Sequence, residues 1–245
     1  MEKLKQSLFN IIFYIVIIAL IIGLVLLVIF AVMKINVYAD ENTSSPTACI
    51  VIDAGHGGED GGAESADGIA EKGINLAIAQ TLRDYFELSG IKVLMTRDND
   101  MPMGDQTLPT LSERRREDFK ERLALFNKNN VDCVISIHQN KFTEPQYSGA
   151  QVFYSPNDER SAALAEYIRK SVTGLLQPDN ERQNKKADSN IYLLNNCTNP
   201  CVLVECGFLS NPQETEKLAD EDYQKQIAFA IYTATLEYLA KEGRV

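Results

Sequence analysis

The chain has 245 residues, a length that fits one ordinary domain or two very small ones and excludes two large domains. Apolar residues make up 45% and charged residues 24%, close to globular averages, which excludes wholesale disorder and a polytopic membrane protein. The formal net charge is −10, so the chain offers no counter-charge for a phosphate backbone and nucleic acid is not expected as a partner.

The N-terminal part carries a long apolar run. Residues 11–33 contain no charge and exceed the roughly 20 residues that a helix needs to cross a bilayer core. More lysines stand before this run than directly after it, which favours a cytoplasmic N-terminus and an exported remainder. A tripeptide ending at Ala39 has small residues at the positions that a signal peptidase reads. We therefore expect residues 1–39 to be a signal or membrane segment, either retained as an anchor or cleaved near Ala39.

The rest of the chain reads as one domain. Residues 40–47 are polar and without periodicity, which predicts a linker, and the folded domain is expected over residues 48–245. The predicted strands are Ala48–Asp53, Lys92–Thr96, Cys133–His138, Gly149–Tyr154, Ile191–Leu194 and Cys201–Glu205. The predicted helices are Asn75–Leu88, Glu113–Asn129, Ala162–Leu176 and Tyr223–Leu239, with a further short helix starting at Asn211-Pro212.

This alternation of strands and helices defines the expected fold class. Most of the apolar runs are continuous, as in strands that are covered on both faces. We predict an α/β fold with a single domain: an open, mostly parallel sheet of about six strands with helices on both faces, preceded by one N-terminal membrane segment. In such sheets the functional site lies at the carboxyl ends of the strands.

The cysteines do not indicate a metal site. All 5 follow the apolar run, and no Cys-x-x-Cys pair exists, so a zinc site built from four thiolates is unsupported. Most of them sit in apolar runs, where a thiol behaves as a small buried hydrophobe. The sequence alone does not decide whether Cys197 and Cys201 form a disulfide.

The chain has 2 histidines, and both follow predicted strands. His56 comes shortly after the first strand, and His138 stands at the end of the third. One such histidine is more often a hydrogen-bonded core residue than a ligand. If the two strands are neighbours, however, both imidazoles emerge at one rim of the sheet, as a zinc site with nitrogen ligands requires.

A catalytic zinc needs a third protein ligand. Spacing alone leaves several acids open: Asp53, Glu59, Asp60, Glu64, Asp67 and Glu71. We prefer Glu71 because the start of a helix fixes a carboxylate in its first turn. A solvated first-turn acid is the alternative.

Glu205 closes an otherwise apolar strand. Burying a carboxylate without a partner is costly, which favours a metal-bound water or a substrate proton as its companion. Beside a zinc ion, Glu205 has the chemistry to take a proton from water and pass it to a leaving amine. The alternative is a strand-end acid that caps the next loop.

These residues together carry a family resemblance. The sequence resembles the zinc-dependent N-acetylmuramoyl-L-alanine amidases of the Amidase_3 type over about Cys49 to Leu239. The segments that match are Asp53-Ala54-Gly55-His56-Gly57-Gly58, Glu71-Lys72, Thr96-Arg97, Ser136-Ile137-His138-Gln139-Asn140 and Glu205-Cys206-Gly207-Phe208-Leu209-Ser210-Asn211. The resemblance implies that zinc (Zn2+) is held by His56, Glu71 and His138 and that Glu205 is the catalytic residue. It also points to Asn140 as a substrate-binding residue, although Lys141 and Phe142 follow where the family often has a small residue.

The resemblance implies hydrolysis of the amide between the lactyl group of N-acetylmuramic acid and L-alanine in peptidoglycan, outside the cytoplasmic membrane. The compact layout resembles the spore-cortex members of the family, which implies cortex maturation through muramic-δ-lactam and, in a spore former, a location between the forespore membranes. A vegetative amidase of turnover or cell separation, a zinc peptidase acting within the stem peptide and a non-catalytic wall-binding scaffold are the alternatives.

Some family members are blocked by a helix after the second histidine. Here only Lys141–Ser148 separates that motif from the next strand, which is too short for a long blocking helix. We therefore predict no internal plug of this kind. The sequence does not decide whether the chain has an activating protein partner.

Overall fold

The computed structural model describes residues 14–15, 17–18, 20–28 and 48–245. The first three ranges are helical, and within the described residues no helix is both long and apolar enough to span a membrane. The predicted segment 1–39 lies largely outside the described residues and the linker 40–47 wholly outside them, so both stay predictions. The chain separates into two units, Met1–Pro46 and Thr47–Val245.

Strands and helices alternate along the second unit. Its strands are β1 (Cys49–Ala54), β2 (Lys92–Met95), β3 (Cys133–Asn140), β4 (Gln151–Tyr154), β5 (Lys185–Lys186) and β6 (Cys201–Phe208). Its helices are α1 (Glu71–Leu88), α2 (Leu111–Phe126), α3 (Arg160–Leu175), α4 (Tyr192–Asn196), α5 (Pro212–Ala219) and α6 (Glu221–Lys241). All the helices predicted for this unit are confirmed, within a few residues at each end.

The strands form one sheet in the order β2-β1-β3-β6-β4-β5. Neighbouring strands are parallel except β4 and β6, which are antiparallel. The predicted mostly parallel sheet of about six strands is therefore confirmed. Because β1, β3 and β6 are central and parallel, their carboxyl ends meet at one edge of the sheet.

Both faces of the sheet are covered, as the continuous apolar strands predict. Ile50 and Ile52 of β1 point into one core, which they share with residues of α1, α3 and α6. Cys49 and Val51 point into a second core with residues of α2 and α4. Successive side chains of a strand alternate between faces, so an apolar strand supplies both cores at once.

Helix starts follow the local sequence signals. Thr110 and Glu113 form a capping box at the start of α2. The side chain of Asn211 accepts hydrogen bonds from the backbone N–H groups of Gln213 and Glu214, and Pro212 stands in the first turn of α5. The short helix predicted at Asn211-Pro212 is confirmed.

One predicted strand is wrong. Ile191–Leu194 is not a strand, because Tyr192–Asn196 forms α4. A short apolar run fits a strand or a buried helical turn equally well by periodicity. The sixth strand is instead Lys185–Lys186, an exposed edge strand whose lysines give no apolar signal.

All five cysteines are free and buried, as the apolar runs around them indicate. Cys197 and Cys201 are therefore not joined by a disulfide. Their thiols contact each other in the core on the side of α2 and α4.

Candidate active site

The chemistry-bearing residues of the sequence meet at the carboxyl edge of the central strands. His56 follows β1, His138 lies near the end of β3, and Glu205 lies in β6. β3 is the direct neighbour of both other strands, and its register places His138 opposite Glu205. The two histidine-bearing strands are neighbours, which meets the condition under which both imidazoles emerge at one rim of the sheet.

Three side chains converge as a candidate metal site. Glu71 Oε2 lies 3.3 Å from His56 Nε2, and Glu71 Oε1 lies 2.9 Å from His138 Nδ1. The possible ligand atoms of the three residues all lie within 4.8 Å of one another, and this is the one such cluster among the described residues. Two imidazoles and one carboxylate are a donor set typical of catalytic zinc sites.

The Glu71 carboxylate is held in place by its surroundings. It is the first residue of α1 and accepts hydrogen bonds from Ala63 N at 2.7 Å, Gln139 N at 2.9 Å and Asn75 Nδ2 at 3.1 Å. Burial alone raises its pKa, but hydrogen bonds and charge from His138 and His56 outweigh burial and hold the pKa of Glu71 well below its usual range. Glu71 is therefore ionised and oriented before any ligand arrives.

Asp60 orients the first histidine. Its Oδ2 lies 3.0 Å from His56 Nδ1, and its Oδ1 accepts from Arg115 Nη2 at 2.9 Å. Although burial works the other way, the hydrogen bonds to Asp60 and Glu71 raise the pKa of His56 to about 9. A carboxylate on one ring nitrogen leaves the other nitrogen for a metal, which is the usual arrangement around metal-bound histidine.

The structure shows which of the candidate acids lies beside the two histidines. Asp53 is fully buried against Arg122, and Glu59 pairs with Arg114. Glu64 and Asp67 are not part of the cluster with the histidines. Glu71 is the acid that joins both histidines, and Asp60 contacts only the far side of His56.

Two glycines make room for this cluster. A Cβ on Gly55 would lie 2.3 Å from His138 Cε1, and a Cβ on Gly62 would lie 2.5 Å from Glu71 Oε2. Gly62 also has a positive φ of +70°. The side chains of the candidate metal site thus pack directly on the main chain, and larger residues at these two positions would displace them.

Two buried arginines hold the loop that carries His56, and the sequence analysis did not assign them a role. Arg122 donates to Asp53 Oδ1 at 2.5 Å and to the carbonyl oxygen of His56 at 2.8 Å. Arg97 donates to the carbonyl oxygens of Ala54 and Gly55, both at 2.9 Å. His56 needs this support because its φ is +62°, a conformation that L-residues rarely adopt. Two sequence features point toward this support: Asp53 is a charged residue at the end of an apolar strand, and Thr96-Arg97 is one of the segments that match the family.

Glu205 provides an unpaired carboxyl group beside the cluster. Its Oε2 is buried and has no hydrogen-bond partner in the described part of the chain. Burial, with the charge of Glu71, raises the pKa of Glu205 to about 7 against the opposing effect of the histidines. A buried, unsatisfied carboxyl oxygen is costly unless a ligand or water completes it. This atom and the glycine-lined cluster fit a bound zinc ion with its water.

Asn140 and the following loop form the rim next to this site. Asn140 ends β3, and its carbonyl oxygen accepts from Leu209 N at 2.8 Å. A register shift between His138 and Asn140 separates the rim from the regular part of the strand. Residues 141–148 contain no helix, in agreement with the length argument. Substrate binding by Asn140 stays a prediction.

The fold and this site have the arrangement of a metal-dependent hydrolase: an open α/β sheet with a two-histidine, one-carboxylate cluster and, beside it, a carboxyl oxygen without a hydrogen-bond partner among the described residues. The family model Amidase_3, N-acetylmuramoyl-L-alanine amidase, matches residues 50–237. The chain belongs to this family, and it is an N-acetylmuramoyl-L-alanine amidase whose substrate is peptidoglycan.

Individual relatives agree with this assignment. The germination-specific N-acetylmuramoyl-L-alanine amidase of Bacillus subtilis is 37% identical over 194 residues, which cover 79% of this chain and 81% of the relative. The amidase AmiA of Escherichia coli K12 is 28% identical over 231 residues, covering 77% of this chain and 75% of the relative.

Solved structures share the fold. The CwlD amidase of Clostridioides difficile, solved in complex with the GerS lipoprotein, is 39% identical with a TM-score of 0.76 and covers 79% of this chain and 99% of that chain. The amidase AmiC2 of Nostoc punctiforme is 31% identical with a TM-score of 0.64, covering 79% of this chain and 97% of that chain. The resemblance inferred from the sequence motifs is confirmed.

Proposed function

We propose that the chain hydrolyses the amide between N-acetylmuramic acid and L-alanine with a zinc ion held by His56, Glu71 and His138. The observation that carries the proposal is the unpartnered Oε2 of Glu205, on the residue directly opposite His138. When bound, zinc supplies Lewis acidity, which lowers the pKa of a bound water to about 7 and polarises a carbonyl group.

Glu205 handles the proton in this mechanism. Its Oε2 accepts a proton from the water that attacks the lactyl carbonyl carbon. Glu205 then delivers that proton to the amide nitrogen as the C–N bond breaks, which leaves the lactyl carboxylic acid and the free amine of L-alanine. The acid then loses the remaining proton of the water to solvent and becomes a carboxylate. In the metal-free chain burial raises the pKa of Glu205 to about 7, and a carboxylate of raised basicity is suited to accept a proton and pass it on.

The chain's other residues position these groups. Asp60 keeps His56 in the tautomer that directs Nε2 toward Glu71. Glu71 cannot drift because two backbone N–H groups and Asn75 hold it. Asn140, at the rim beyond His138, binds the substrate next to the scissile amide.

The setting that we propose is the spore cortex, where removal of stem peptides prepares muramic acid for δ-lactam formation. Support comes from the relatives, since one is named a germination-specific amidase and another is a CwlD amidase. A vegetative amidase of wall turnover or cell separation is the second candidate, supported by the similarity to AmiA.

We further propose that the catalytic unit works outside the cytoplasmic membrane, between the forespore membranes in a spore former. The apolar run 11–33 directs its export and either anchors it or is removed near Ala39. An activating protein partner is also proposed, because the CwlD amidase was solved in complex with a lipoprotein.

Mass spectrometry of digested peptidoglycan tests this function. The full chain, loaded with zinc, is expected to release peptides that begin with L-alanine and to leave peptide-free glycan, and a chelator is expected to stop the release. Cleavage between residues of the stem peptide would identify a zinc peptidase instead. Binding to the wall without any release from the zinc-loaded chain would favour a scaffold.

A further inference from the structure

A row of three side chains leads away from the candidate metal site across the sheet. Glu205 of β6 lies opposite His138 of β3 on one side and opposite Gln151 of β4 on the other. Side chains of directly paired residues project from the same face of a sheet. The Oε1 of Gln151 in turn accepts a hydrogen bond from Arg182 Nη1 at 3.2 Å. Arg182 therefore stands next to the row that contains the proposed proton carrier.

The Arg182 side chain is fixed on both sides. Its Nε donates to the carbonyl oxygen of Ser148 at 2.8 Å. Its Cζ lies 4.6 Å from the ring centroid of Phe208 and 5.9 Å from that of Tyr147. Hydrogen bonds and ring stacking together restrict a side chain that is otherwise flexible, so little conformational entropy is lost when it binds a ligand.

Arg182 forms no ion pair within the described residues, although its charge acts on the carboxyl group of Glu214. Most arginines of the described residues form ion pairs with Asp or Glu, whereas no ion pair and no Nη2 hydrogen bond is found for Arg182 in this part of the chain. A positively charged group without a carboxylate is unusual in a chain with a net charge of −10. The planar guanidinium is suited to bind a carboxylate with two hydrogen bonds.

Space for a ligand lies beside this group. Arg182 lines a cavity of about 1160 Å³, slightly above the usual range of ligand-site volumes. The cavity also has acidic lining residues, but Glu214 accepts hydrogen bonds from Gly149 N and Phe208 N. Asp179 and Glu181 are exposed. Arg182 and Lys217 are the positively charged side chains among its lining residues.

An aromatic cluster lies against Arg182, and we call its three rings, Phe142, Tyr147 and Phe208, the aromatic wall. Phe142 packs edge-on against Tyr147 at 5.0 Å, and Tyr147 lies 6.4 Å from Phe208. Phe142 is 51% exposed and Tyr147 42% exposed, so the rings face solvent at the rim of the site. The unusual Phe142 of the sequence motif thus belongs to the same surface as Arg182.

We propose that Arg182 is a specificity-determining residue that binds a carboxylate of the peptide portion of the substrate. The inference rests on the proposed function, because an amidase of this kind must hold a peptide on one side of the scissile bond. The peptide carboxylate accepts hydrogen bonds from Nη2 and from the second N–H of Nη1 of Arg182, and the aromatic wall lines the path from the scissile amide. The group recognised is the carboxylate itself and not the glycan.

A pair of matched substrates tests the inference. Solubilised peptidoglycan is used either as prepared or after conversion of its peptide carboxylates to amides with carbodiimide and ammonia. The zinc-loaded wild-type chain is expected to lose about tenfold to a hundredfold in kcat/KM on amidation, mainly through KM. Arg182→Gln is expected to show the same loss on the unmodified substrate and little further loss on the amidated one. Arg182→Lys keeps the positive charge but lacks the planar guanidinium that can donate two hydrogen bonds. Its kcat/KM on the unmodified substrate is expected to lie between those of the wild type and Arg182→Gln.

Arg116→Gln is the matched control, since Arg116 is an exposed arginine of α2, and it is expected to keep the preference of the wild type. Zinc content and thermal unfolding of each variant report on folding. Equal cleavage of both substrates by the wild type would overturn the inference while leaving the amidase function intact. A preference that persists in Arg182→Gln would also overturn it. No cleavage of either substrate by zinc-loaded wild type would refute the proposed function for the chain acting without a protein partner.

Discussion

His138 and Glu205 lie directly opposite each other on two adjacent parallel strands, β3 and β6. The carboxyl ends of both strands lie at the same edge of the sheet, where His56 of the next strand also emerges. A candidate metal ligand and a free carboxyl group are thereby fixed by backbone hydrogen bonds and not by loops alone. Sites built on sheet strands hold their geometry more closely than sites on loops, which suits a reaction that needs a proton carrier at a set distance from a metal.

The ligand assignment predicts what happens to bound metal. Replacing His138 with Ala removes one of three ligands, and we expect zinc content to fall from about one per chain to a small fraction of that. Metal analysis after dialysis against a weak chelator measures it. Arg116→Ala, at an exposed position of α2, serves as the control. Unchanged zinc content in the His138 variant would refute the assignment.

Gly55 is predicted to be intolerant of a methyl group. In Gly55→Ala the new Cβ would lie 2.3 Å from the His138 ring, so the ring must move and zinc affinity is expected to fall by tenfold or more. Competition with a fluorescent zinc chelator measures the affinity. Gly174→Ala is a matched control in α3, because a Cβ there has nothing within 4 Å and alanine favours a helix. Equal zinc affinity in the two variants would contradict the packing argument.

Arg122 is predicted to be essential for stability. It is buried with Asp53 at 2.5 Å, and its removal leaves that carboxylate uncompensated in the interior. We expect Arg122→Ala to lower the free energy of unfolding by about 3–5 kcal/mol, as measured by urea denaturation. The same substitution at the exposed Arg116 should change it by less than about 0.5 kcal/mol. A small effect at Arg122 would mean that Asp53 is hydrated or protonated.

Glu205 is predicted to make the metal-free protein less stable as pH rises. Its pKa is raised from 4.5 to about 7 in the folded chain, so the folded state binds the proton more tightly than the unfolded state. The resulting stabilisation is complete below pH 4.5 and is lost as pH rises through 7. The loss is on the order of 3 kcal/mol.

The comparison with Glu205→Gln isolates this effect, because glutamine does not titrate. Urea denaturation of both metal-free proteins at pH 5 and pH 8 measures this difference. Relative to the wild type, the free energy of unfolding of the variant is expected to be larger at pH 8 than at pH 5. Parallel pH dependence of the two proteins would show that Glu205 is not buried as described.

The sequence predicted the parts of the site that lie at strand ends. His56, His138 and Glu205 each follow or close an apolar run, so the parallel sheet alone brings them to one edge. Spacing alone did not select Glu71 as the third candidate ligand, because several other acids were equally compatible with it. The folded structure selects Glu71, since the start of α1 lies next to both histidines. The continuous apolar pattern indicates that these strands are buried, but their order in the sheet is a property of the folded structure.

Other parts could not be predicted from local sequence. The contact of Arg122 with Asp53 joins residues of α2 and β1 that are far apart in the chain, and no periodicity specifies such a pair. The misplaced strand at Ile191–Leu194 has the same cause on a smaller scale. A run of four apolar residues does not distinguish a strand from a helical turn, and tertiary packing against the core decides.

The most direct test of the account measures zinc content and peptide release together in Glu205→Gln. The account predicts that this variant binds as much zinc as the wild type but releases peptides from peptidoglycan at least a hundredfold more slowly, because it lacks the group that transfers the proton. Retained zinc with full release would contradict the central claim, since Glu205 would then have no part in the reaction.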